Sequence, residues 1–277
     1  MRRVVAYLSL ICLVAIALAP TARSLAEGDW VVADPDANAV YQMDPVGLGT
    51  SVLSAGGSFR YPTGVTLHPN GSVFVADPDA NAIFEVDVGT ASQTLLSQGG
   101  LFRGPTGVGV ADDGDLLVAD PVANAVFRVD PVTGDQSLEY THPDLRLARG
   151  VAGEAVDTFL VVDPDANTLW RADAFLAAQE DFSSGGLFRY PTGVGREPLG
   201  DALVADPVAD AFIRVSAAGV QTLQVSGTGL LFPTDIDVVP EPGSALQLLA
   251  GCGMLRLLSL RARRHGARSG QRTQLAA

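Results

Sequence analysis

The sequence predicts an all-β fold, a five-bladed β-propeller whose blades are four-stranded antiparallel sheets. One unit recurs five times at intervals of 43 residues, and each unit carries four short apolar runs separated by turn residues. The chain also enters the repeat at a second strand and leaves it after a lone first strand. Small sheets with two apolar faces bury both faces when they stack radially around an axis.

The repeat is marked by an Asp-Pro turn between two hydrophobic strands. Ala or Val precedes the aspartate in every copy, so strand, polar turn and strand recur in register. The five copies read VVADPDANAVYQMD, FVADPDANAIFEVD, LVADPVANAVFRVD, VVDPDANTLWRAD and LVADPVADAFIRVS. The aspartates that open the turns are Asp34, Asp77, Asp120, Asp163 and Asp206.

The four strands of a unit are clearest in the second copy, where the predicted runs are 64–67, 72–76, 82–86 and 93–97. Since the chain begins on the second strand at 30–33, the final run at 234–239 is expected to complete the N-terminal blade. That pairing closes the ring and leaves no strand edge open. The alternatives are an open five-unit solenoid or a dimer of half-rings, which would need edge caps that the sequence does not supply.

A second motif opens each unit. Phe-Arg-Tyr-Pro-Thr-Gly-Val at 59–65 recurs at 102–108 and 188–194, with degenerate copies at 145–151 and 231–236. With the Val-Ala-Asp strand end and the apolar-Arg-Val-Asp third strand, this pattern resembles the NHL family of β-propeller repeats across 27–239. NHL propellers commonly have six blades whereas five are predicted here, so the ligand sites of the family are not carried over.

The N-terminus predicts export. Residues 1–26 have a basic start, an apolar run at 4–19 and small residues before Glu27, an arrangement typical of a cleaved signal peptide. A retained membrane anchor is the alternative, but this run of about 16 residues is shorter than the roughly 20 that a spanning helix needs. Signal peptidase is the expected partner.

The C-terminus, 239–277, carries a second targeting pattern. Val239, Pro240, Glu241 and Pro242 open a motif at 239–244, and an apolar stretch at 245–260 and an Arg-rich tail at 261–277 follow. This order resembles the PEP-CTERM sorting signal. The resemblance implies an exosortase partner, a transient membrane helix and a link to extracellular polysaccharide or biofilm. A weak permanent anchor and a surface amphipathic helix are the alternatives.

The charge of the chain and the positions of its cysteines restrict the classes of function that are possible. Between Glu27 and Glu241 lie all 31 acidic residues and only 9 of the 18 arginines, a formal charge of −22, and the chain has no lysine. So acidic a surface excludes nucleic acid as a partner. Both cysteines, Cys12 and Cys252, fall in the targeting segments. We expect a monomer in the cell envelope, on the surface or in the extracellular matrix of a Gram-negative-type bacterium.

One face of the ring is the predicted ligand face, because the Asp-Pro turns and the Phe-Arg-Tyr-Pro turns should open on the same side. Its candidate residues are the five turn aspartates together with Arg60, Arg103, Arg146, Arg189, Tyr61 and Tyr190. In the alternative interpretation, the aspartates bond the N–H groups of their own turns and the arginines pair with neighbouring aspartates, so that the motif is structural.

Calcium is the only metal that the turns suggest, and we expect no cofactor. Asp34, Asp36 and Asn38 are spaced like the first ligands of an EF-hand loop. However, Ala39 stands where that loop needs glycine, and no Glu follows at the twelfth position.

Catalytic residues are sparse. His68 and His142 each precede a proline, and no serine lies in a Gly-x-Ser-x-Gly elbow. The first strands offer only scattered polar residues such as Thr66, Glu154 and Asp237. We therefore expect a non-enzymatic binding or scaffold protein that binds a polysaccharide, a protein or a cation. The alternative is a metal-dependent propeller hydrolase or lyase, lactonase-like or streptogramin-lyase-like.

Overall fold

The computed structural model describes residues 24–47, 49–197, 199–227, 230 and 232–239. These residues form twenty β-strands, arranged in five four-stranded antiparallel sheets, and no helix. The predicted five-bladed propeller is confirmed.

Blade 1 joins the two ends of the repeat domain. It contains β1 (Trp30–Asp34), β2 (Ala39–Met43) and β3 (Thr50–Ala55), and its innermost strand is β20 (Asp235–Val238). Trp30 pairs with Val238 and Ala33 with Asp235, and the N–H of Thr234 donates to the carbonyl oxygen of Ala33 at 2.9 Å. The C-terminal strand therefore closes the ring as predicted, and the open solenoid does not form.

The other four blades follow in chain order, each running from the axis outwards. Blade 2 consists of β4 (Gly64–Leu67), β5 (Val73–Asp77), β6 (Ala82–Val86) and β7 (Gln93–Gln98). Blade 3 consists of β8 (Gly107–Val110), β9 (Leu116–Asp120), β10 (Ala125–Val129) and β11 (Gln136–Tyr140). Blade 4 consists of β12 (Gly150–Ala155), β13 (Thr158–Asp163), β14 (Thr168–Asp173) and β15 (Ala178–Ser184). Blade 5 consists of β16 (Gly193–Arg196), β17 (Ala202–Asp206), β18 (Ala211–Val215) and β19 (Gln221–Ser226).

Hydrophobic side chains fill the spaces between neighbouring blades. Between blades 5 and 1, the rings of Phe212 and Trp30 meet edge-on with centroids 5.2 Å apart. Between blades 2 and 3, Phe102 meets Phe127 edge-on at 5.9 Å, and Phe74 is fully buried beside them. Edge-to-face aromatic pairs add to the free energy gained by burial, so the blade junctions form the core of the domain.

The five innermost strands lie so close together that glycine is needed at the axis. The first residue of four of these strands is Gly64, Gly107, Gly150 and Gly193. A Cβ atom at Gly107 would lie 2.2 Å from the carbonyl oxygen of Arg149, which no neighbouring backbone could accommodate. The recurring Thr-Gly-Val of the sequence is thus explained by close approach of backbones.

Threonine hydroxyls connect the inner strands to one another at the end where these strands begin, which we call the upper face. The Oγ1 of Thr63 donates to the carbonyl oxygen of Thr106 at 2.8 Å, and that of Thr106 donates to Arg149 at 2.9 Å. Thr192 donates to Thr234, and Thr234 donates to Thr63, each at 2.8 Å. We call these residues the axial threonine ring; Arg149 holds the fifth position.

The predicted targeting segments lie mostly outside the described residues. Val239 is buried, with 7% of its surface exposed, whereas the rest of the sorting motif, the stretch 245–260 and nearly all of 1–26 are not described. Within the part of the chain that the structure describes, no helical segment has the length and apolarity needed to traverse a bilayer.

The close contact at the axis yields a stability prediction. Gly107→Ala is expected to lower the free energy of unfolding by about 2 kcal/mol or more, because overpacking of a backbone contact forces the inner strands apart. Gly49→Ala is the matched control, since Gly49 is exposed and nothing lies within 4 Å of its added Cβ. It should change stability by less than about 0.5 kcal/mol in chemical denaturation. Equal effects of the two substitutions would contradict the tight axis.

Candidate functional site

The five turn aspartates lie inside the ring wall, not on its surface. Each is fully buried, at 0% exposure. In blade 2, Oδ1 of Asp77 accepts the N–H of Ala80 at 3.0 Å, while Oδ2 accepts the N–H groups of Arg60 and Tyr61 at 2.6 and 3.0 Å. The same pattern recurs at Asp120, Asp163 and Asp206, and Asp34 accepts the N–H of Ala37. A buried carboxylate needs such partners, so Asp77, Asp120, Asp163 and Asp206 each connect their turn to the segment that enters the blade.

The arginines of the predicted ligand face take part in these bonds through their main-chain N–H groups. Arg60, Arg103, Arg146 and Arg189 are all exposed. The guanidinium of Arg103 donates to the carbonyl oxygens of Gly100 and Phe102 at 3.0 and 2.8 Å, and that of Arg189 bonds its own turn in the same way. The arginines thus bond the turn aspartates through their main-chain N–H groups. The alternative interpretation had paired the two through the guanidinium. Tyr61 is 37% exposed and Tyr190 half-buried, and a ligand role for these arginines and tyrosines stays a prediction.

The fifth residue of each Asp-Pro turn, counted from the aspartate, has a left-handed backbone conformation. Asn38 has a φ of 49°, and Asn81, Asn124, Asn167 and Asp210 have φ values from 48° to 53°. Asn and Asp tolerate this left-handed conformation better than other side chains, which explains their place in the turn. Among the described residues, no group of three or more His, Cys, Asp or Glu side chains is arranged to hold a metal ion.

The repeat is broken at the axis, on the closing strand β20. Asp235 stands where the other inner strands have glycine, and Asp237 stands where they have Thr66, Gly109, Ala152 and Gly195. The glycines leave room that the two carboxyl groups occupy. A Cβ at Gly193 would lie 2.2 Å from Oδ1 of Asp235, and one at Gly195 would lie 3.2 Å from Oδ1 of Asp237. We call Asp235 and Asp237 the axial carboxyl pair.

Asp235 is the deeper member of the pair. It is 1% exposed, and its Oδ2 accepts the N–H of Val65 from blade 2 at 2.9 Å. Its Oδ1 has no hydrogen-bond partner within the described part of the chain. Burial, with a smaller contribution from the negative charge of Asp237, raises the pKa of Asp235 well above its ordinary value. This environment favours the protonated acid.

Asp237 keeps some contact with solvent, although protein surrounds it closely. Its Oδ2 accepts the Thr66 hydroxyl at 2.9 Å and the N–H of Leu67 at 2.8 Å, and its Oδ1 accepts the N–H of Val238 at 2.9 Å. Burial raises the pKa of Asp237 from 3.8 to about 6, against the lowering effect of these hydrogen bonds. A carboxyl group with such a pKa can both take up and release a proton near neutral pH.

We call the end of the ring at which the inner strands finish the lower face. Other charged groups near this face are paired with one another. Glu154 bonds Arg171 at 2.6 Å and Arg196 at 2.8 Å; burial raises its pKa, but these arginines lower it more. Arg128 bonds Asp113 and Glu139, each at 2.8 Å. Glu154 is therefore held ionised by its two arginines, unlike Asp237.

Two surface clefts lie between blades and not at the axis. One of about 580 Å³ is lined by Ser183, Gly186 and Gln221, and one of about 450 Å³ is lined by Ser54, Gly57 and Gln93. Gln93 donates to Ser54 Oγ and to the carbonyl oxygen of Gly56, and Gln221 makes the same bonds to Ser183 and Gly185. Because the arrangement recurs, we assign these clefts to the blade junctions.

Sequence reasoning had named Asp237 but not Asp235. The available signal was the fifth copy of the opening motif, in which Pro-Thr-Gly becomes Pro-Thr-Asp. Only the structure shows that this position faces the axis.

Comparison with known proteins places the fold among solved propellers. A gluconolactonase from Xanthomonas campestris has 16% identity and a TM-score of 0.55, over 74% of this chain and 77% of that one. A catalytically inactive virginiamycin B lyase from Staphylococcus aureus, solved with quinupristin, has 15% identity and a TM-score of 0.51, over 73% and 68%. A nidogen/laminin complex has 11% identity and a TM-score of 0.58, over 76% and 81%. No protein-family model and no curated protein matches the chain.

These comparisons contradict the expectation of a non-enzymatic binding or scaffold protein. The similar solved structures that overturn it are virginiamycin B and streptogramin B lyases and gluconolactonases. The expectation relied on the scarcity of catalytic side chains, and it counted Asp237 among scattered polar residues of the first strands. At these identities the likeness establishes the fold alone.

The raised pKa of Asp237 predicts a pH-dependent stability. The folded protein binds this proton more tightly than the unfolded chain, so its contribution to stability is present below about pH 4 and is lost as the pH rises through about 6. Asp237→Asn keeps an oxygen acceptor for Thr66 but cannot ionise. The test compares the free energies of unfolding of the two proteins in chemical denaturation. The value for the wild type minus that for the variant should decrease by about 2 kcal/mol between pH 4 and 8. Parallel curves would contradict the assignment.

Proposed function

We propose that this propeller is an exported enzyme, a hydrolase or lyase, whose acid–base group is Asp237. The observation that carries the proposal is the axial carboxyl pair: it interrupts a five-fold repeat at the axis, and its outer member has a pKa of about 6. Residues that repeat in every blade serve the blade. A residue that departs from the repeat at the cost of burying a carboxyl group requires a different explanation.

The chemistry follows from the surroundings of Asp237. The Thr66 hydroxyl and the Leu67 N–H fix one carboxyl oxygen, so the group is held in one orientation. As the carboxylate it can remove a proton from an attacking water or from a carbon next to a carbonyl group. The resulting acid can return that proton to the departing oxygen, so that protons balance over one turnover. General acid–base catalysis of this kind contributes about 10²–10⁴-fold to a rate.

Asp235 is proposed to act through Asp237. As a neutral acid beneath it, Asp235 adds no second negative charge to the axis and keeps the pKa of Asp237 from rising further. The described residues do not fit the divalent metal of the metal-dependent alternative, because no three suitable side chains converge. We therefore derive no step through a metal, and calcium in the turns remains a prediction that a chelator can test.

The activity prediction uses two probes taken from the similar structures, glucono-lactone for ring-opening hydrolysis and quinupristin for a lyase. The wild-type protein is expected to turn over a member of one of these classes. Asp237→Asn should lower kcat/KM at least about 100-fold, and the wild-type pH profile should show an inflection near 6. Product formation is followed by mass spectrometry, with and without chelator.

Asp135→Asn is the matched control, because it applies the same chemical change to an exposed carboxylate in the turn between the outer strands β10 and β11, away from the axis. Its kcat/KM should stay within about twofold of wild type. If the protein turns over neither substrate, the proposal of an enzyme is contradicted. If Asp237→Asn retains the wild-type rate, Asp237 is not the acid–base group.

The targeting segments support an extracytoplasmic location for this enzyme. We propose that signal peptidase removes 1–26 and that an exosortase recognises Val239, Pro240, Glu241 and Pro242, while 245–260 contacts the membrane transiently. The order of motif, apolar stretch and Arg-rich tail supports the proposal.

Intact-mass measurement of the protein from its native host tests the sorting proposal. The mature chain is expected to begin at Glu27 and to end within 240–244, because cleavage at the motif removes the apolar stretch and the Arg-rich tail. A mature chain that still carries 245–277 would contradict sorting and leave a weak anchor in its place.

A further inference from the structure

A second departure from the repeat lies at the upper face of the axis. Arg149 occupies the fifth position of the axial threonine ring, where the other inner strands have Thr63, Thr106, Thr192 and Thr234. At the junction of blades 4 and 5, the carbonyl oxygen of Thr192 therefore receives no threonine hydroxyl. This oxygen lies close to the start of blade 4, since a Cβ atom added at Gly150 would be 2.9 Å from it. The ring is thus open at Arg149.

Within the part of the chain that the structure describes, the Arg149 side chain has no bonded partner. Its guanidinium makes no ion pair and no side-chain hydrogen bond there, and its Nε is buried without an acceptor. By contrast Arg128, Arg171, Arg196 and Arg214 all bind carboxylates. In a chain with 31 acidic residues, a half-buried arginine without a carboxylate indicates a missing acceptor.

Arg149 stands at the upper mouth of the axis, where its carbonyl oxygen accepts the Thr106 hydroxyl at 2.9 Å. It opens blade 4, yet its charge reaches Tyr61, which precedes blade 2. Burial and the charge of Asp36 raise the pKa of the Tyr61 hydroxyl, and Arg149 lowers it. The arginine and the tyrosine therefore lie near enough on the upper face for their charges to interact.

We propose that Arg149 binds the carboxylate of a small sugar acid at the upper mouth of the axis. A guanidinium matches a carboxylate with two parallel N–H···O bonds, which no described residue supplies to Arg149. The exposed ring of Tyr61 and the half-buried ring of Tyr190 lie on the same face and can stack on a sugar ring. The nearby Asp36 and Asp79 disfavour ligands with more than one negative charge.

This site is independent of the proposed acid–base group. Arg149 lies at the level of Thr234, and Asp237 is three residues further along an inner strand, about 10 Å at roughly 3.3 Å per residue. The buried Asp235 lies between the two levels. Loss of one site therefore leaves the other in place, and binding can be measured without turnover.

Titration calorimetry at low ionic strength with D-glucuronate tests the proposal, with D-glucose as the neutral probe. Arg149→Thr restores the residue of the other blades, and its hydroxyl can donate to the carbonyl oxygen of Thr192, so the melting temperature should be kept or raised. Affinity for glucuronate should fall about tenfold or more, whereas Arg149→Lys should retain part of it. Glucose should bind neither protein measurably.

Arg214→Thr is the control for net charge, because Arg214 pairs with Glu197 at the lower face, outside the predicted ligand face, and its loss changes the charge by the same amount. Its affinity for glucuronate should stay within about twofold of wild type. The proposal is overturned if the wild type does not bind glucuronate, if glucose binds equally well, or if Arg149→Thr binds as tightly as wild type. An equal loss in Arg214→Thr would assign the effect to overall charge and would overturn it too.

Discussion

The closeness of the five inner strands at the axis governs the rest of this structure. Their backbones approach so nearly that Gly64, Gly107, Gly150 and Gly193 cannot carry a side chain. Hydroxyls of the axial threonine ring then satisfy the carbonyl oxygens that face the next blade. With the axis this narrow, few side chains fit there, and the two carboxyl groups of β20 occupy room that glycines leave. Asp235 and Asp237 thus depart from the repeat where the adjacent inner strand has Gly193 and Gly195.

The acidic residues of the repeat serve a different purpose. Each turn aspartate is fully buried and accepts N–H groups from its own turn, and Asp77, Asp120, Asp163 and Asp206 also accept N–H groups from the segment that enters the blade. A carboxylate accepts several such bonds at once, whereas a neutral side chain of this size accepts fewer. Burial would be costly without these donors. Repetition of the Asp-Pro turn thus reflects a requirement of each blade, and it carries no information about a ligand.

Much of the fold could be predicted from the sequence, because a 43-residue period and the lone strand at the end leave few arrangements open. The site could be predicted only in part. A change from glycine to aspartate at 235 has no visible meaning until the strand is known to face the axis. Similarly, the alternative interpretation paired the arginines with neighbouring aspartates through the guanidinium, whereas Arg60 bonds Asp77 through its main-chain N–H, which one-dimensional patterns do not distinguish. The function was misjudged because Asp237 was counted among scattered polar residues of the first strands.

Because the axial carboxyl pair lies on β20, the pair and the closed ring are completed together. That strand is the last element of the propeller to be synthesised, and blade 1 has only β1, β2 and β3 until it arrives. A nascent chain therefore has neither a sealed ring nor carboxyl groups at its centre. The carboxyl pair reaches the axis in the same event that completes the fold, and an edge on β1 stays open to wrong pairing until then.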